Sequence, residues 1–262
     1  MKSIGAEAAG QAVYMEGLFR QINIDLMKKE MICLVGAGGK TSAMFRLAQE
    51  LSAESKKVLV TTTTEIFFPD SEQYDKIIIT DSALPDMLIN IESGSITVCG
   101  RAVSSEGKLL GVDQGFLDVL FLKGIFDYII VEGDGSKKRP IKAPAGHEPV
   151  IPSLTTKVLG LIGLDSIGKK VFTEFVHRQE IFCSILGCSE GDIIDADLIS
   201  RLIVHEEGLF KAVPPQAERY VVLNKADEEN ERLAALEIIQ RLSDMEYELE
   251  GVVISKLRDV KP

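Results

Sequence analysis

The chain's 262 residues read as a three-layer α/β/α domain on a largely parallel sheet, for two reasons. Short runs rich in Val and Ile alternate with segments of helical periodicity, the pattern left by strands joined through crossover helices. The first of those runs ends in a glycine cluster that opens a helix, and ligands of open α/β sheets bind at that carboxyl edge.

Taken in order, 31–35 is an apolar run suited to a strand buried on both faces, and a helix is expected over 40–51. Strands follow at 58–62, 76–79 and 95–99, and a helix over 115–122 leads into a strand at 128–131. Residues 158–162 form another strand candidate. Helical spacing spans 172–186 and 195–204, with Asp195 placed as an N-cap. A strand at 219–223, an acidic helix at 228–242 and a strand at 251–255 complete the pattern. The least regular stretch is 133–152, with four prolines and three glycines among its 20 residues. Such a stretch inside a compact domain is more often functional than idle. The expectation is one nucleotide-binding domain over 1–262, with this loop covering the site.

Composition is ordinary for a globular protein, at 45% hydrophobic and 26% charged. The formal net charge of −11 repels nucleic-acid backbones and anionic membranes, so neither is an expected partner. Cys33, Cys99, Cys183 and Cys188 are scattered without a C-x-x-C pair and read as small packing residues. Residues 1–10 lack an apolar signal core, and no run approaches the roughly 20 residues of a membrane span. A soluble, cytoplasmic protein is expected.

The glycine cluster is Gly36-Ala37-Gly38-Gly39-Lys40-Thr41-Ser42, after a strand and before a helix, the context a P-loop requires. Glycines let successive backbone N–H groups turn inward around phosphate oxygens at a helix N-terminus. Lys40 supplies a point charge to the β/γ-phosphates, and the Thr41 hydroxyl can ligate Mg²⁺. One position departs from G-x-x-x-x-G-K-[ST]: Leu34 stands where the first glycine belongs. The shorter G-x-x-G-K-T form resembles the P-loop of Mur-type ligases.

The strand at 128–131 runs into Glu132, with Asp134 two residues on. In extended backbone the two carboxylates share a face, where one or both can hold Mg²⁺ or orient an attacking water. Lys137, Lys138, Arg139 and Lys142 follow, four cations in six positions, a candidate clamp for phosphate or for a second anionic substrate. Lys137 and Arg139 are the catalytic candidates among them. His147 and Glu148 are adjacent, so in extended chain they point apart. Thr63 and Thr64 close the second strand, where a hydroxyl can contact the γ-phosphate or Mg²⁺; β-propensity alone also accounts for a threonine run. Asn224-Lys225-Ala226-Asp227 ends a strand and resembles the guanine-reading motif of GTPases. Asp227 would accept from guanine N1–H and the exocyclic amine, which favours GTP slightly over ATP, and Lys225 would pack along the base. An N-cap role for Asp227 is the plainer alternative.

Together these residues resemble the YqeC family. The matching pieces are Val35-Gly-Ala-Gly-Gly-Lys-Thr41, Val60-Thr-Thr-Thr-Thr64, Val131-Glu-Gly-Asp-Gly-Ser136, Pro140-Ile-Lys-Ala-Pro144, His147-Glu-Pro149, Val176-His-Arg178 and Asn224-Lys-Ala-Asp227. The resemblance implies a role in maturing selenium-dependent molybdenum hydroxylases, with such an enzyme as a client. The residues themselves lead to a Mg²⁺-dependent protein that hydrolyses a nucleoside triphosphate or transfers its phosphoryl group. A GTPase-like switch for cofactor insertion and a Mur-like ATP-dependent ligase stand as alternatives.

Overall fold

Thirteen strands and six helices are found in the computed structural model, which describes residues 17–80 and 90–257. The first half contains α1 (Leu18–Gln21), β1 (Glu30–Gly36), α2 (Lys40–Ala53), β2 (Val58–Thr62), β3 (Glu65–Phe67), β4 (Lys76–Ile79), β5 (Ile96–Gly100), β6 (Ala102–Val103), β7 (Lys108–Leu110), α3 (Gln114–Lys123) and β8 (Tyr128–Glu132). The second contains β9 (Ile141–Lys142), β10 (Lys157–Gly163), β11 (Val176–His177), α4 (Gln179–Leu186), α5 (Ala196–Val204), β12 (Glu218–Asn224), α6 (Glu229–Asp244) and β13 (Gly251–Ile254). Residues 1–10, read above for the absence of a signal core, lie outside the described residues.

Eight strands form the central sheet in the order β13-β12-β10-β1-β8-β2-β5-β4. All seven pairings are parallel. β1 is therefore central, flanked by β8 and β10, and its carboxyl end sits where the chain's course across the sheet reverses. Every residue of β1 is buried, as a strand covered on both faces requires. Its alternate side chains feed two cores. Met31, Cys33 and Val35 pack with Leu117 and Leu120 of α3, Ile199 and Leu202 of α5, and Ile238 of α6. Ile32 and Leu34 pack on the opposite face with Met44, Leu47 and Leu51 of α2. The expected α/β/α layering is observed.

Most elements lie within one or two residues of their expected bounds, and Asp195 caps α5 by accepting from Leu198 N–H at 2.8 Å. The stretch 172–186 differs. Only Gln179–Leu186 is helical, because Arg178 is left-handed at φ +60 and the preceding Val176–His177 pairs with β9 as a short parallel ladder. The small antiparallel sheet β3-β7-β6 was not expected either; its strands of two or three residues are too short to show a period. The loop 133–152 is more ordered than its composition suggests. Its ends meet, with Val150 N–H donating to Gly133 O at 2.9 Å, and most of 140–145 is buried against β11.

Candidate functional site

β1 continues through Gly36, which accounts for Leu34: that side chain is fully buried in register between Leu159 and Glu132, inside the strand rather than in the loop. The loop is therefore short, Ala37 to Gly39, with φ of +86 at Gly38 and +119 at Gly39. A Cβ at Gly38 would lie 2.1 Å from Gly163 N, so this turn closes against β10 only without a side chain. Two amides at the start of this turn are already engaged: Gly36 N–H, ending β1, donates to Asp134 Oδ2 (3.2 Å) and Ala37 N–H to Leu161 O (2.9 Å). The N–H groups of the first turn of α2, which opens at Lys40, point past its N-terminus, as in any α-helix.

Lys40 folds inward and is 3% exposed. Its Nζ donates to Gly36 O at 2.6 Å and lies 3.2 Å from Asp134 Oδ1 and 3.8 Å from Glu132 Oε1. Burial opposes its charge, but Asp134 and Glu132 outweigh burial and hold its pKa above the ordinary lysine value. Thr41 Oγ1 donates to Glu132 Oε2 at 2.9 Å. Burial pushes the Glu132 carboxyl up, against Lys40 and the Thr41 hydrogen bond. Asp134 Oδ1 is buried and, apart from Lys40, has no well-aligned hydrogen-bond donor. The two carboxylates thus share one face, held there by the parallel register of β8 beside β1.

The charges continue beyond Asp134. Lys142, fully buried, places Nζ 2.8 Å from Asp134 Oδ2, 2.6 Å from Glu148 Oε2 and 2.7 Å from Gly135 O. Glu148 is gripped on its other side by both terminal nitrogens of Arg178, Nη2 at 2.9 Å from Oε1. Burial would raise Glu148, but the hydrogen bonds from Arg178 and Lys142 outweigh it and bring the carboxyl down to about 2. His177 next door is lowered to about 4 by burial and by Arg178 and Lys142. Carboxylates and cations alternate from Glu132 to Arg178, so the loop 133–152 is tied to the glycine loop by a continuous ladder of buried charge.

Other candidates fall into three groups. Thr63 Oγ1 donates to Val150 O (2.7 Å), and Thr64 N–H donates to Thr62 Oγ1, which itself donates to Glu132 O; the threonine run anchors β8 and the loop. Lys137 is exposed, Lys138 stacks over Phe67, and Arg139 Nε donates to Thr173 O at 2.7 Å, so none of these three touches Lys40 or Thr41. Asn224 is buried and donates to Gly38 O (2.8 Å), bracing the glycine loop from β12. Lys225, left-handed at φ +62, pairs with Asp165 Oδ2 at 2.7 Å. Asp227 is half-buried, and the cap of α6 is Glu228, in a capping box with Glu231, so the N-cap alternative for Asp227 does not hold.

Several residues were missed in the sequence. Lys142 was counted only as part of a basic loop, and Glu148 was weighed only against its neighbour His147. Arg178 sat in the expected interior of a helix. Ser255 Oγ and Leu257 N–H both donate to Asn224 Oδ1, at 2.8 and 2.7 Å, so the end of β13 fixes the side chain that braces the loop. Lys142 and Glu148 meet within one loop, whereas Arg178 and the end of β13 reach their partners from distant parts of the chain.

The family profile described as YqeC protein matches residues 32–180, from β1 into α4. The uncharacterized protein YqeC of Escherichia coli (strain K12) is 33% identical over 231 residues, 87% of this chain and 88% of that one.

Proposed function

This chain belongs to the YqeC family, and we propose that it binds a nucleoside triphosphate as its Mg²⁺ complex at residues Gly36 to Ser42 and hydrolyses it or transfers its phosphoryl group. The observation that carries this reading is the inward, buried ammonium of Lys40 on a glycine turn that tolerates no side chain, with Thr41 and Glu132 hydrogen-bonded beside it. A buried lysine between two carboxylates serves stability poorly, since desolvation offsets much of the attraction. A ligand that exchanges with those carboxylates gives the arrangement a purpose.

A bare triphosphate entering beside Glu132 and Asp134 would be repelled, so the anion must arrive with a divalent cation. The donor set suits Mg²⁺, which takes one or two carboxylates, a hydroxyl and phosphate oxygens. Thr41 and Glu132 would hold it, and Asp134, with its poorly satisfied Oδ1, is the second carboxylate at hand. When bound, Mg²⁺ would supply neutralisation of the negative charge on the phosphate oxygens. Lys40 and the opening amides of α2 bind the same oxygens and stabilise the charge that develops on them. The loop 133–152 excludes water from this edge of the sheet.

GTP is favoured slightly over ATP on the strength of Asn224-Lys-Ala-Asp227, and the hydrogen bond from Asn224 to Gly38 O favours a second reading, a GTPase-like switch in which base and phosphate sites respond together. The pathway, maturation of a selenium-dependent molybdenum hydroxylase, rests on the family alone. The test is a binding panel of ATP, GTP, CTP and UTP with and without Mg²⁺, on wild-type protein, Lys40→Ala and Asp227→Ala. Binding should fall at least about 100-fold without Mg²⁺ or in Lys40→Ala. Asp227→Ala should erase only the preference among bases. Triphosphate binding unchanged by Lys40→Ala would reject the reading.

A further inference from the structure

Lys137 and Lys138 are consecutive left-handed residues, at φ +47 and +60, in a turn that Arg139 N–H closes by donating to Ser136 O at 2.9 Å. A turn with both central residues left-handed is of the I′ kind, where Asn-Gly sits without strain and lysine does not. Strain of this sort persists where the surroundings impose it, and it gathers at ligand sites.

Here the surroundings are the phosphate loop itself. On one side of the turn Asp134 meets Lys40 at 3.2 Å. On the other, Pro140 O accepts from Gly163 N–H at 2.8 Å, and Gly163 packs on Gly38. The turn is thus held at the rim of the phosphate site by both its ends. In a chain of net charge −11, no ion pair with a carboxylate involves Lys137, Lys138 or Arg139 among the described residues. Lys138 Nζ lies 4.5 Å above the ring of Phe67, which is 58% exposed. A merely solvated basic turn accounts for the charges but not for the strain or for the half-exposed aromatic ring beneath Lys138.

We propose that the Ser136–Arg139 turn and Phe67 form a second binding site, for a small anion that carries a flat apolar group. The lysines take the phosphate or carboxylate, and the Phe67 face takes the flat group, with Lys138 at the junction. Its role as the second substrate rests on the phosphate-loop reading above; the binding itself does not.

The test titrates phenyl phosphate and inorganic phosphate against full-length Lys40→Ala protein, in which the phosphate loop is disabled. Phenyl phosphate should bind about tenfold more tightly than inorganic phosphate, as stacking on an aromatic face gives. The double variant Lys137→Asn/Lys138→Gly, which keeps the turn and removes both charges, should abolish binding, and Phe67→Ala should erase the preference for the phenyl compound. Equal binding of the two phosphates, or binding that survives the double variant, overturns the proposal. Should Lys40→Ala fail to fold, the same comparison is made on wild-type protein, counting only the binding that the Lys137→Asn/Lys138→Gly variant removes. Triphosphate binding that fails on wild-type protein while phenyl phosphate still binds Lys40→Ala would reject the function proposed above and leave this site standing.

Discussion

Glu148 shows how one residue can tie an irregular loop to a site. Its carboxylate is shared by Lys142 and Arg178, and its pKa of about 2 in the folded state lies below the ordinary 4.5. A group lowered in this way contributes stability that is fully present above pH 4.5 and is lost as pH falls through 2. For a lowering from 4.5 to about 2, roughly 3 kcal/mol is expected. His177 acts in the same direction higher up: at about 4 against 6.5, it is protonated first in the unfolded chain, so stability falls as pH drops from 6.5 to 4. Glu148→Gln should cost about 3 kcal/mol at pH 7, since Lys142 and Arg178 lose their common partner. It should also flatten the loss of stability between pH 4.5 and 2. Urea unfolding at pH 7, 4 and 3 measures both, and an unfolding curve identical to wild type would refute the ladder as a source of stability.

At the scale of elements, the position of β12 matters more than the identity of its motif. Asn224 ends that strand, donates to Gly38 O and Leu257 O, and accepts from Ser255 and Leu257. Three elements, β12, the end of β13 and the phosphate loop, converge on one buried amide. Asn224→Ala leaves several buried polar groups unpaired, and about 2–3 kcal/mol of stability should be lost. Triphosphate affinity should fall with it for all bases alike, because the loop and not the base loses its support. Chemical denaturation together with the four-nucleotide panel separates this from Asp227→Ala, and a base-selective loss in Asn224→Ala would contradict it. The strands themselves were legible because fully buried parallel strands are continuous Val/Ile runs. The β3-β7-β6 sheet and the β9-β11 ladder were not, because elements of two or three residues owe their existence to a partner strand and carry no period of their own.

For the whole molecule, ligand binding must appear as stability, since a ligand that binds only the folded chain stabilises it by mass action. At a concentration 100 times its dissociation constant, Mg²⁺-GTP should add about 2.7 kcal/mol, which for a chain of this size raises Tm by roughly 5–10 °C. GTP with a chelator, and Mg²⁺ alone, should give much smaller shifts, and Lys40→Ala should give none with either. Calorimetry showing equal shifts with and without Mg²⁺ would refute the argument from the two carboxylates. No helix among the described residues is long and apolar enough to cross a membrane.

The layered architecture, the parallel strands and the glycine turn before α2 were all readable along the chain, because each is written in neighbours a few residues apart: burial on both faces, helical spacing, a cap, a turn that needs positive φ. The facing of Glu132 and Asp134 toward Lys40, the burial of Lys142 between two carboxylates, and the bracing of Gly38 by Asn224 emerged with the fold. Those contacts join residues from 6 to 186 positions apart. Apart from the Lys142 pairs, which form within one loop, they depend on strand order and register across the sheet, and no local pattern of side chains encodes which distant strand will lie next door.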